Sequence, residues 1–183
     1  MGAIVRAVGV AIISAVVAML TWPAHAQQAS EAAVKAAFLY KFPGYIEWPA
    51  EAFLRPDSPF VIGVTNSDEV AGELEKLVPG RSIGARRIVV RRLREGDSPR
   101  GVHILFAGRT DAGMRAMLKA AHAQPGTLVV AESDRGLEMG AAINFVAYED
   151  RVAFEVSLEN AERTGIRISS RMLAVARRVV PRG

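Results

Sequence analysis

The chain has 183 residues, with 23 Lys and Arg against 19 Asp and Glu, a net charge of +4 and no cysteine. The missing thiols exclude cysteine nucleophiles, cysteine zinc sites, Cys-ligated iron–sulfur clusters and any disulfide. The charge is mild and its arginines alternate with acids, as on a solvated surface, so no nucleic-acid partner is expected.

Residues 1–26 read as a cleaved secretory signal. Arg6 supplies the positive start, residues 7–20 form an apolar run too short to span a bilayer comfortably, Thr21-Trp22-Pro23 breaks it, and Ala24-His25-Ala26 is a small-x-small cleavage site. Residues 27–183 then make a single domain, long enough for one sizeable core. Ser30 caps a helix over 31–41 whose apolar stripe carries Val34 and Phe38, and Pro43-Gly44 ends it. The continuous apolar runs at 60–65 (FVIGVT), 102–107 (VHILFA) and 127–131 (TLVVA) read as buried strands. Helices over 69–78, opened by Asn66-Ser67-Asp68, and from Thr110-Asp111 to about Ala121 alternate with them. An arginine-flanked strand lies at 87–93. Alternating buried strands and helices predict an α/β fold, a single mixed sheet with helices on both faces. Runs at 142–148 and 151–157 flank a tight Glu149-Asp150 turn and make the sheet's antiparallel pair. A short polar helix follows, and Ser169-Ser170 then cap a final helix, striped with Met172, Leu173, Val175 and Ala176, with Arg177 and Arg178 at its C-terminal dipole.

Little in this pattern resembles catalytic machinery. No Gly-x-Gly-x-x-Gly, Walker A loop, Gly-x-Ser-x-Gly elbow or His-x-x-x-His spacing is present, so neither an enzyme nor a cofactor or metal is expected. His103 lies within an apolar strand and reads as a buried, hydrogen-bonded core residue; His122 lies near a helix end. The loops after the buried strands place Asn66, Ser67, Arg109, Thr110 and Ser133 where ligands of open α/β sheets bind, a candidate cleft for a small polar or anionic molecule; capping of each loop's own helix is the competing reading. Arg87 and Arg91 share one face of their strand, Arg92 the other, and this basic strand either protects a sheet edge or docks an acidic partner. Tyr40, Tyr45 and Trp48 belong to an aromatic-rich segment at 38–53 and are candidate partner contacts.

The chain resembles the YfiR family from about Val34 to Val175. The matching pieces are KAAFLYKFPGYIEWP at 35–49, VIGVTNSD at 61–68, HILFAG at 103–108, LVVAESDRGLEMGAAINFV at 128–146 and, strongest, RVAFEVSLENAERTGIRISSRML at 151–173. The resemblance implies a periplasmic regulator that binds the sensor region of an inner-membrane diguanylate cyclase and keeps cyclic di-GMP low. It also implies a homodimer, relief by an OmpA-like lipoprotein, and no catalytic constellation. A small-ligand module reporting to a membrane sensor kinase or cyclase is the alternative.

Overall fold

The fold is taken from a computed structural model, which describes residues 30–94, 96–109 and 113–183. The signal-like segment, Glu95 and the Thr110-Asp111 cap lie outside the described residues.

Helix α1 (Glu31–Lys41) starts where Ser30 Oγ accepts from the Ala33 N–H, and passes into a 3-10 turn at Phe42–Tyr45, where Pro43 and Gly44 cannot continue an α-helix. Strand β1 (Ile46–Glu47), a 3-10 turn at Ala50–Ala52 and β2 (Phe60–Thr65) follow, then α2 (Asp68–Leu77), β3 (Ser82–Ile83) and β4 (Arg86–Leu93). The second half runs β5 (Ile104–Ala107), α3 (Gly113–His122), β6 (Leu128–Ala131), β7 (Ile143–Tyr148), β8 (Arg151–Ser157), α4 (Leu158–Glu162), β9 (Arg167–Ile168), α5 (Ser170–Leu173) and β10 (Arg178–Val180).

The main sheet has eight strands in the order β10-β8-β7-β6-β5-β2-β4-β3, while β1 and β9 form a small antiparallel pair of their own. Strands β4, β2, β5, β6 and β7 run parallel, β8 returns antiparallel to β7, and β10 lies parallel to β8. The fold is therefore the mixed α/β sheet expected from the sequence. Period-two alternation divides its side chains between two cores. Phe60, Ile62, Val64, Ile104, Phe106, Leu128, Val130, Ile143 and Phe145 pack under α1 and α2. Leu93, Val102, Leu105, Ala107, Val129 and Ala131 pack under Met117, Leu118 and Ala121 of α3. The apolar runs are continuous because both faces of the parallel strands are covered.

Two local expectations change. The last helix is a single turn, capped by Ser169 Oγ on the Met172 N–H, and the chain then straightens into β10. Of the predicted stripe, Met172 is buried but Val175 is 71% exposed. Arg177 and Arg178 serve the sheet, not a helix dipole: they hold the Glu155 carboxylate at 2.7 and 2.6 Å. In α1 the deeply buried positions are Lys35, Ala36 and Leu39, whereas Val34 and Phe38 are half-buried along its flank.

Candidate functional site

The C-terminal ends of the parallel strands carry the candidate ligand residues. Asn66 and Ser67 follow β2, Arg109 lies just beyond β5 and Ser133 just beyond β6, while Thr110 is outside the described residues. These ends open into two adjoining depressions, of about 570 and 420 Å³, that share Glu31, Lys35, Arg109 and Glu132. The shared residues form a chain of charges. Lys35 Nζ lies 2.5 Å from Glu31 Oε1 and 2.7 Å from Glu132 Oε2, and the second oxygen of Glu132 lies 3.3 Å from Arg109 Nε. The Lys35 hydrogen bond and charge hold the Glu31 carboxyl below its ordinary value. Sequence reading missed Lys35, which sits in a helix almost a hundred residues before Glu132, its partner at the strand ends, among alanines that mark α1 as ordinary. Its cation and that of Arg109 are matched by two carboxylates, so the trough has no surplus charge for an anion.

The crevice is also closed where the strand order reverses, between β2 and β5. The Gly108 N–H donates to the Thr65 carbonyl at 2.9 Å, and a Cβ on Gly108 would stand 2.2 Å from the Asn66 carbonyl oxygen. In nucleotide-binding sheets this is the gap that admits the ligand. Ser67 precedes α2 without a side-chain capping bond. Ser133 is clamped instead, its N–H and carbonyl both bonded to the Asn144 amide at 3.2 and 2.9 Å.

The basic strand β4 is an outer strand from Ile88 onward, since β3 pairs only with Arg86 and Arg87. Arg92 reaches Asp68 at 2.7 Å and Glu75 at 2.8 Å on α2, while Arg91 turns onto the carbonyls of Ser98 and Arg100 at 3.1 and 3.0 Å. Arg87 is exposed. The aromatic candidates divide similarly. Trp48 donates Nε1–H to the Gly126 carbonyl at 2.9 Å and stands edge-on to Phe60, and Tyr40 accepts from Arg81; Tyr45 is 43% exposed.

Tyr45 lies on a feature that no motif announced. A groove of about 690 Å³ runs between α1 and α5, walled by Val34, Phe38, Phe154, Met172 and Val175 and rimmed by Lys41 and Arg171. Its floor continues into an aromatic cluster in which Phe38 lies 5.6 Å from Phe154 and 5.9 Å from Phe145, ring centre to ring centre. Among the described residues no group of three or more His, Asp or Glu could hold a metal ion, and no helix is long and apolar enough to cross a membrane.

The YfiR/HmsC-like family matches the chain over residues 32–177, which spans α1 through the approach to β10. The chain belongs to the YfiR/HmsC-like family. No curated protein matches it. The match covers α1 from its second residue, both cores and α5, so the groove lies within it, as does the strand-end trough apart from Glu31.

Proposed function

We propose that this YfiR/HmsC-like protein is a periplasmic regulator that binds the sensor region of an inner-membrane diguanylate cyclase and holds the enzyme inactive. The observation that carries this reading is the α1–α5 groove. Exposed Val175 and half-buried Val34 and Phe38 form its walls over a floor of buried Phe154 and Met172, a concave apolar seat for a partner side chain. Aromatic walls over a well-packed floor are where binding energy concentrates in such interfaces. The Lys41 and Arg171 rim suits a partner segment with apolar anchors and acidic flanks. Regulation then follows from differential affinity. The protein silences the cyclase only to the extent that it binds the inactive sensor more tightly than the active one. An OmpA-like lipoprotein that takes up the regulator would relieve repression by mass action, and a second copy of the chain would be the dimer partner.

The experiment is a deletion strain complemented with wild type or with Phe38→Asp, read by cellular cyclic di-GMP. Deletion raises cyclic di-GMP, wild type restores it, and Phe38→Asp, checked for folding by circular dichroism, does not. An unchanged cyclic di-GMP level on deletion would sink the proposal. The balanced charges of the strand-end trough and the closed gap at Gly108 weigh against the alternative of a small anionic ligand.

A further inference from the structure

At the other end of the sheet from the trough, segment 48–58 folds over the N-terminal ends of β2, β5 and β6, and His103 holds it there. The His103 ring is 4% exposed and stacks with Phe53 at 4.5 Å and Phe60 at 5.0 Å. The Val61 N–H donates to Nδ1 at 3.0 Å, so Nδ1 carries no proton, and Nε2–H donates to the Ala52 carbonyl at 3.1 Å. One ring thus joins the first turn of the segment to the start of β2, and does so only as the neutral Nε2–H tautomer.

A second proton has no place in this arrangement. An N–H on Nδ1 would point at the Val61 N–H, donor against donor, and the imidazolium would be buried. The surrounding charges do not compensate. Arg86 from β4 lies over Phe53, 3.8 Å from its centroid, and bonds the carbonyls of Arg55 and Ser58, which adds a like charge. Within the segment Arg55 and Asp57 pair with each other at 3.3 Å, and Glu51 is exposed to solvent. Strands β2, β5 and β6 contribute no ionisable side chain (FVIGVT, ILFA, LVVA). Burial, with Arg86 adding to it, holds the imidazole below its ordinary 6.5, against the opposing pull of the Ala52 carbonyl.

We propose that segment 50–58 is an acid-released flap, latched by neutral His103 and freed when that ring takes a proton. Release uncovers the faces of Phe53 and Phe60 beside Leu54, which is already 94% exposed, and so adds an aromatic surface away from the α1–α5 groove. The sign follows from linkage. The open flap has an ordinary imidazole and binds more protons than the closed one, so opening is favoured as pH falls below 6.5 toward the depressed value.

The test uses the full chain with Trp22→Phe, which leaves Trp48 as the single tryptophan of the two in the sequence. Trp48 touches Phe60 and reports the flap directly. As pH falls from about 7.5 to about 5, its emission should shift to longer wavelength. Amide exchange at 50–58, corrected for intrinsic rates, should rise by about tenfold per pH unit within the window while β5 and β6 stay protected. The His103 imidazole resonance should titrate with the same midpoint, and His103→Gln should flatten both readouts. The proposal is overturned if nothing changes before global acid unfolding, if the transition follows His122 instead, or if it survives in His103→Gln. If that variant does not fold, the wild-type midpoints for His103 and Trp48 decide: coincidence supports the latch and disagreement rejects it.

Discussion

Gly136 and Asn144 show how narrowly single residues are specified around the strand ends. A Cβ on Gly136 would stand 2.1 Å from Asn144 Oδ1, and that amide holds both polar groups of the Ser133 backbone. Gly136→Ala should therefore cost about 1–3 kcal/mol by expelling a buried, doubly bonded amide, and Asn144→Ala should cost a similar amount. Measured together by urea unfolding, the two changes should be far from additive, because the second removes what the first disturbs. Additive costs would show that Gly136 matters for some other reason. His103 illustrates what sequence could reach at this scale. An apolar context predicted a buried, bonded ring, but its partners Ala52 and Val61 lie 51 and 42 residues away and no local pattern names them. Lys35 was illegible for the same reason: its burial comes from Glu132, almost a hundred residues on.

Elements were more legible than contacts, and the exceptions are short. Helices α1 and α2 and strands β2, β4, β7 and β8 fall where periodicity and punctuation put them, because several residues vote on each. The Glu149-Asp150 turn was legible too, with both residues at positive φ (48° and 57°), the conformation a two-residue hairpin requires. The C-terminal tail was not. Residues 170–176 carry a cap and apolar spacing suited to a helix, yet only one turn forms, because the following residues find a better place beside β8. Glu155 decides that competition: its side chain is 8% exposed and its carboxylate is held by Arg178 and Arg177. Those arginines, Arg178 first, keep the Glu155 carboxyl below its ordinary 4.5. Because the folded value is lowered, the stabilisation is present above 4.5 and is lost as pH falls through the folded value. Glu155→Gln should cost about 1–3 kcal/mol at neutral pH, less than a fully buried pair because both arginines can turn to water. It should also flatten the dependence of stability on pH below about 4.5, a comparison that thermal unfolding at a series of pH values makes directly.

Over the whole molecule, the core and the proposed partner surface meet at the α1–α5 groove. The first core runs under the groove, since Phe154 and Met172 belong to both, whereas the Val175 wall is 71% exposed. Val175→Asp should therefore leave stability within about 0.5 kcal/mol while abolishing repression of cyclic di-GMP synthesis. A variant that represses normally would move the partner surface elsewhere. The groove escaped sequence reading because its walls come from α1, β8 and α5, and half-buried apolar residues look the same in a sequence whether they finish a core or await a partner. The position of β10 has a consequence in time. Strand β8 closes on β7 through a two-residue turn, an event of microseconds, but its other edge is covered by residues 178–180, about twenty residues further along the chain. During synthesis, or during passage through any narrow conduit from the N-terminus, that edge stays open until residues 178–180 arrive. The pairing of β10 with β8 is then the last of the sheet's pairings to become possible.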